Sequence, residues 1–315
     1  MKARMEDILN HHNSPLPATT GQTSGSVKPA WRTKLADYWA LTKPEVNFLV
    51  LMTTLVGFYF GQSGALPWAL LVHTLLGTLL VASGTATLNE FMEREWDAQM
   101  RRTARRPLPA SRITPAEAFW FGILLSVLGG LYLALAVNAL ACWLALLTLA
   151  SYLLIYTPLK RKTSYCTLVG AFPGAMPPLI GWAAVRGNLS VEAWILYAMV
   201  FLWQFPHFLA IAWMYRQDYT RAGFRMLPEG DNEGRLTARR ILFYSGALLP
   251  VSLLPTLAGM VGIAYLLGAL LLGLAFLGSS ARLARSMTNI MARRVLLVSV
   301  IYLPLVLGLM MLDKV

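Results

Sequence analysis

The sequence is short of what a water-facing surface needs. Asp, Glu, Lys and Arg together make up 13% of its 315 residues, against 57% hydrophobic types. Cysteine is nearly missing: Cys142 and Cys166 stand alone, without CxxC spacing. That excludes a disulfide framework or a thiolate metal site and leaves two small packing residues. Acids are fewer than bases, 15 against 27, for a formal net charge of +12. The opening segment MKARMEDILNHHNSPLPATTGQTSGSVKP lacks the apolar centre of a secretory signal, and with Glu6 and Asp7 it makes a poor transit peptide. Its Ser, Thr, Pro and Gly content predicts a disordered polar tail over residues 1–34, ahead of one domain at 35–315. The adjacent His11 and His12 are read as part of that tail rather than as a metal site.

What the chain has instead is long apolar runs, near 46–61, 67–88, 116–137, 139–156, 165–185, 193–214, 240–259, 260–279 and 295–312. Each is close to the roughly 20 residues a helix needs to cross a bilayer. The seventh and eighth form one stretch too long for a single span, and Gly259 is the natural place to divide it. A water-soluble bundle with nine such helices would have no polar face left. The reading is an all-α integral membrane protein with nine transmembrane helices.

The positive charge is distributed as topology requires. All of the Lys and Arg except Arg186 and Lys314 fall in residues 1–45, 89–115, 157–164, 215–240 and 279–294. These are the N-terminal segment and every second loop, so the N-terminus and those loops belong in the cytoplasm. A nucleic-acid partner is thereby disfavoured, and the last of the basic loops reads as contact with anionic membrane lipid.

Topology explains arginines but not acids at fixed spacing. Asn89, Glu93 and Asp97 recur every four residues at the end of the second span, which puts them on one helical stripe. Three oxygen ligands on one face suit a hard cation such as Mg²⁺, which takes one or two carboxylates and completes its shell with water and phosphate. Glu90 and Glu95 fall on other faces and are expected to pair locally with Arg94 and its neighbours. Arg101, Arg102, Arg105 and Arg106 follow, closed by Pro107, and guanidinium forks match phosphate geometry. Two further loops carry polar clusters: YTPLKRKTS, with Lys160, Arg161 and Lys162, and MYRQDYTRAGFRMLPEGDNEGR, with Arg216, Asp218, Tyr219, Arg221 and Arg225. Within the sixth span, Gln204 and His207 flank Pro206, and polar groups at such depth face a cavity or a partner. His73, isolated among leucines, is read as structural. In the fifth span GAFPGAMPPLIGW holds three Gly and three Pro, so that helix is expected to break, as is tolerated where it lines a cavity.

The run Asn89-x3-Glu93-Arg94-x2-Asp97-x2-Met100-x-Arg102-Thr103-x2-Arg106-Pro107 resembles the first acidic motif of the UbiA superfamily of intramembrane prenyltransferases. The segments YTPLKRKT, GAFPGAMPPLIGW and FLWQFPHFLAIAWMYRQDYTRAGFRMLP narrow the resemblance to the heme-farnesylating branch, over about residues 35–312. The resemblance implies nine helices around a central apolar cavity capped by cytoplasmic loops. It implies transfer of farnesyl from farnesyl diphosphate to a vinyl group of heme B, giving heme O in a bacterial inner membrane rather than a mitochondrial one. Heme A synthase or oxidase assembly proteins would be downstream partners.

Carried over by position, Asn89, Glu93 and Asp97, with Asp218, would hold Mg²⁺ and act in catalysis. Arg94, Arg102, Arg106, Lys160, Arg161, Arg216 and Tyr219 would bind the diphosphate, and His207 would lie near the heme as ligand or proton-transfer group. Quinone-type members carry more aspartates. Here Glu93 replaces one of them, and Asp218 stands alone because position 222 is Ala222, so one Mg²⁺ is placed and a second is left open. The alternatives are a prenyltransferase for a quinone precursor, which would have a richer second motif, and a transporter. A transporter would put its ionisable groups near the bilayer midplane, whereas here the acids gather at one end.

Overall fold

The computed structural model describes residues 30–315, with side chains from residue 33. The tail and its His11 and His12 lie outside the described residues. Lys34–Val315 forms one compact unit. Its helices, in chain order, begin with α1 (Ala30–Leu41), α2 (Pro44–Gly61), α3 (Trp68–Asp97) and α4 (Pro115–Ala136). The chain continues through α5 (Ala139–Leu159), α6 (Cys166–Arg186) and α7 (Val191–Met214). It ends with α8 (Arg216–Arg221), α9 (Arg235–Leu257), α10 (Ile263–Arg285) and α11 (Asn289–Leu312). All except α1 and α8, nine among the described residues, are long and apolar enough to cross a membrane. Gly259, at φ 69°, lies in the turn that divides α9 from α10, where a left-handed backbone favours glycine.

Large apolar side chains project outward along the spans, Leu135 at 87%, Leu271 at 68% and Leu131 at 55% exposure among them. A bundle in water would not leave so much apolar surface uncovered; lipid would solvate it. Inside, the bundle is drier and more polar in detail. Buried Thr54, Thr74, Thr85 and Ser126 return their hydroxyl hydrogens to the carbonyls of Val50, Leu70, Val81 and Gly122, at 2.7–2.8 Å. No hydroxyl of that set is left wanting a partner in hydrocarbon.

Between lipid-solvated helices, association depends on close packing, and small residues provide it. A Cβ on Gly57 would fall 1.9 Å from the Pro178 carbonyl oxygen, and one on Gly181 1.9 Å from that of Thr54. Backbone of α2 thus lies directly on backbone of α6. Gly57→Ala is expected to cost about 1–3 kcal/mol, as other overpacked positions do. It should lower the thermal unfolding midpoint in detergent, whereas Gly278→Ala, with open space around it, should not.

Two irregularities shape the interior. α6 breaks at Ala175–Met176 between Cys166–Gly174 and Pro177–Arg186. Pro177 and Pro178 have no N–H to continue the ladder. Gln204 reaches across from α7 and donates to the Ala171 carbonyl at 3.1 Å; a Cβ on Gly174 would lie 2.0 Å from its Oε1. The second irregularity is a π-helical turn, Ser151–Tyr156, near the end of α5. It directs both the amide and the hydroxyl of Thr157 to the Tyr152 carbonyl, and it sets the direction in which α5 delivers its last residues.

Candidate active site

The last two turns of α3 carry Asn89, Glu90, Glu93 and Asp97, all 2–5% exposed. Four polar groups buried at one helix end need partners, and three elements bring them. The start of α2 supplies Lys43, whose Nζ donates to Asn89 Oδ1 at 3.0 Å and lies 3.7 Å from Glu90 Oε1. The end of α5 supplies Lys160, with Nζ 2.8 Å from Glu93 Oε1 and 3.0 Å from Oε2. The loop after α3 supplies Arg106, which pairs with Asp97 Oδ2 at 2.7 Å and approaches Glu90 at 3.6 Å. Asn89 Nδ2 donates to Thr157 Oγ1 at 3.1 Å, on the residue that follows the π turn.

Three carboxylates therefore face three cations in one buried cluster, and the formal charges cancel. Local structure holds each participant. Thr103, 1% exposed, donates from Oγ1 to the Asp97 carbonyl at 2.8 Å and folds the loop back so that Arg106 returns to the helix end. Lys43 adopts φ 51°, ψ 63° directly before Pro44. That left-handed conformation is costly for a residue with a Cβ, and such strain is retained where the surroundings fix it. Burial lowers the Lys43 ammonium to about 8, with Glu90 working against it and the cation of Arg106 adding to it. Burial also opposes charge on Lys160, but Glu93, Tyr156 and Tyr152 outweigh it and hold that ammonium well above its ordinary value.

Around the cluster the loops interlock. Arg161 stacks on Trp96 at 4.4 Å, and Trp96 meets Phe224 edge-on at 6.4 Å. Arg102 donates to Tyr219 Oη at 3.3 Å and covers the Tyr215 ring at 5.2 Å. The Arg225 amide donates to the Lys160 carbonyl at 2.7 Å. Met100, Cys166, Ala212, Ala222, Phe224 and Met226 fill the space beneath.

The structure thus gathers Asn89, Glu93, Asp97, Arg106 and Lys160, and it places Arg102, Arg161 and Tyr219 in the cap beside them. Other expected residues are elsewhere. Arg94 donates to the Phe91 carbonyl and pairs with Glu95 at 3.0 Å, away from the cluster. Arg216 is turned to the Trp213 carbonyl and Asn289, both at 2.8 Å, and braces the start of α11. Asp218 pairs with Arg221 at 3.1 Å. Among the described residues no three of His, Cys, Asp and Glu gather at metal-ligand spacing.

Glu90 is the main correction to the sequence reading. It was expected to pair with Arg94, but it is buried between Lys43 and Arg106. Helical spacing places it about 100° from Asn89, and that direction is also covered. Glu95, by contrast, does pair with Arg94. Lys43 and Thr157 were missed altogether. Lys43 had been absorbed into the topological charge; its position before Pro44 at the mouth of a span is the signal that marks it. His73 bonds Tyr132 Oη at 2.7 Å, as a structural histidine does.

His207 lies apart from the cluster, on α7 against α11. Its ring stacks on Trp203 at 4.8 Å, and its Nδ1 is 2.8 Å from Ser299 Oγ. The Ser299 hydroxyl hydrogen goes to the Leu296 carbonyl at 2.6 Å, so Nδ1 donates. That leaves Nε2 as the basic atom, with no hydrogen bond among the described residues.

The donor set fits a magnesium ion. The oxygens are hard, and two buried ones, Glu90 Oε2 and Glu93 Oε1, accept no hydrogen bond. Lys160 is 2.8 Å from the latter but poorly aligned. Two or three such oxygens do not make an all-protein cage, which suits an ion that keeps water and phosphate in its shell.

Comparison with known proteins agrees with this architecture. The model of the UbiA prenyltransferase family matches residues 50–303. A protein named protoheme IX farnesyltransferase from Solibacter usitatus is 53% identical, over 89% of this chain and 99% of that one. One of the same name from Koribacter versatilis is 46% identical, over 91% and 96%. Among solved structures, a digeranylgeranylglyceryl phosphate synthase superposes with a TM-score of 0.73 at 19% identity, over 89% of this chain and 98% of its own. A UbiA homolog from Archaeoglobus fulgidus, bound to GPP and Mg²⁺, superposes at 0.59 with 15% identity, over 87% and 99%. These two carry the fold alone, but with the family match and the close relatives the conclusion is plain: the chain belongs to the UbiA prenyltransferase family.

Proposed function

We propose that this protein transfers the farnesyl group of farnesyl diphosphate to a vinyl group of heme B, producing heme O and pyrophosphate. The observation that carries the reading is the buried, charge-neutral cluster at one end of an apolar bundle. Close relatives named protoheme IX farnesyltransferase supply the acceptor. The protein is multi-pass, and we place it in a bacterial inner membrane with the cluster and N-terminus cytoplasmic, as the basic loops require.

In this reading Asn89, Glu93 and Asp97 would hold Mg²⁺. When bound, the ion neutralises the leaving group as a Lewis acid. The chain's own contribution follows from the pairs already described. Lys43, Lys160 and Arg106 are held within reach by the acids, and they would donate to phosphate oxygens once the acids held a metal. Arg102 and Arg161 add charge from the cap. Donors fixed in place before reaction stabilise developing negative charge without reorganisation. The C1–oxygen bond of farnesyl diphosphate breaks with its electron pair leaving on pyrophosphate. The vinyl π electrons form the new bond to C1, and the carbon left electron-poor takes a water oxygen and releases one proton. The apolar spans keep water from C1 until the vinyl has reacted. His207 Nε2 faces no protein partner and is assigned to the heme, as iron ligand or proton acceptor.

Purified protein supplied with heme B, farnesyl diphosphate and Mg²⁺ should release pyrophosphate and yield heme O, resolved by chromatography and mass. Prenylation of a phenolic acid with heme B left untouched would overturn the acceptor assignment.

A further inference from the structure

His207 and Ser299 meet where α7 packs against α11, and the contacts around them form one connected set. His207 Nδ1 lies 2.8 Å from Ser299 Oγ, and the Ser299 hydroxyl gives its own hydrogen to the Leu296 carbonyl at 2.6 Å. The Ser299 carbonyl accepts from Trp203 Nε1 at 2.8 Å, and the Trp203 ring stacks on the imidazole at 4.8 Å. Ser299 therefore holds the imidazole by one edge directly and, through Trp203, by one face. Ser299 and Trp203 are both buried, so close packing keeps them in place.

A serine hydroxyl has one hydrogen, and here a carbonyl takes it. The oxygen can only accept from the ring, so the imidazole is the tautomer with its hydrogen on Nδ1. Nε2 keeps a bare lone pair. It has no hydrogen bond among the described residues, and its neighbours do not seal it in as they seal Trp182 Nε1 and Tyr302 Oη. The helix face that carries it is an inward one. Val200, Trp203, Gln204 and Ala210 lie within about 60° of His207 around α7, and all four are buried. The exposed neighbour is Phe208, about 100° away. At about 1.5 Å per residue, His207 lies about 10 Å along the helix from Met214, where α7 ends and the cap over the charge cluster begins.

The hydrogen-bond chain from Nδ1 through Ser299 ends on a backbone carbonyl, which cannot pass a proton on. The arrangement suits the orientation of a lone pair rather than a proton relay. Histidines that bind a metal typically have the other ring N–H held by an acceptor in this manner. We propose, on the reading that heme B is the acceptor, that Ser299 is a positioning residue for that substrate: it fixes His207 in the tautomer and ring orientation that present Nε2 to the heme iron.

Two measurements on the full chain in detergent test this role, and the first needs no heme. Nitrogen NMR of histidine-labelled protein should show His207, identified by the signal lost in His207→Ala, with Nδ1 protonated and Nε2 bare. Ser299→Ala removes the acceptor and should move part of the population to the Nε2–H form. Ser299→Thr keeps a hydroxyl and should not. In the second, absorbance titration with heme B should show binding weakened by about 10–100-fold in Ser299→Ala, the usual effect of losing such a partner, and recovered in Ser299→Thr. A serine that only packs would change the unfolding midpoint without moving the tautomer or the heme spectrum, and that result would overturn the proposal. A hydrogen on Nε2 in wild type would overturn it alone. A heme spectrum in His207→Ala identical to that of wild type would overturn it together with the contact between His207 and heme. Absence of heme B binding by wild type would overturn the acceptor reading and this role with it.

Discussion

Asp97→Asn should lower farnesyl transfer by about 10²–10³-fold, the usual cost of removing one group that stabilises transition-state charge, while the protein folds and inserts normally. The substitution keeps the shape of the side chain and an acceptor oxygen but removes the negative charge that pairs with Arg106 at 2.7 Å. Arg106 is not stranded by the change, because Glu90 remains 3.6 Å from its Nε. Function and stability therefore separate at this residue. Turnover is read by pyrophosphate release and folding by the unfolding midpoint in detergent. Full activity in Asp97→Asn would reduce the acidic stripe to an ion network that merely closes a helix end.

Lys160→Met has the largest expected effect on stability. Glu93 is 5% exposed, and Lys160 is its ion partner. Removing one member of a buried pair leaves the other charge uncompensated, at about 3–5 kcal/mol. The unfolding midpoint should fall accordingly, and transfer should fall at least as far as in Asp97→Asn. The double variant Glu93→Gln/Lys160→Met removes both charges, so most of the stability should return. Transfer should not return, because a metal ligand and a phosphate donor are both gone. Recovery of activity along with stability would show that Lys160 serves only to neutralise Glu93.

Much of this was legible in the sequence because two strong signals do not depend on tertiary detail. Apolar runs of spanning length define nine helices, and even the division at Gly259 follows from length. The recurrence of Asn89, Glu93 and Asp97 every four residues defines a shared face. The ends of the spans were harder to read. α3 runs on to Asp97 and α9 begins at Arg235, well past the apolar runs, because charged residues continue a helix wherever neighbours neutralise them.

Pairing was the least legible feature, since it depends on which elements meet. Glu90 could be placed on a face but not between Lys43 and Arg106, which come from the starts and ends of other segments. The left-handed backbone at Lys43 and the π turn at Ser151–Tyr156 are conformations that tertiary packing imposes, and between them they aim Lys43, Thr157 and Lys160 at α3. Arg94 and Arg216 show the converse. Both stand in plausible phosphate-binding strings, and both are committed to nearby carbonyls and side chains instead.

The central claim is that this neutral cluster is a clamp that exchanges its internal ion pairs for a metal and a diphosphate. Calorimetric titration of the purified protein with an unreactive farnesyl thiodiphosphate, with and without Mg²⁺, tests it most directly. Binding should require Mg²⁺ in wild type and should be lost in Asn89→Ala, whose side chain touches Lys43 and Thr157 but carries no charge of its own. Binding that is equally tight without Mg²⁺ and unaffected by Asn89→Ala would contradict the account.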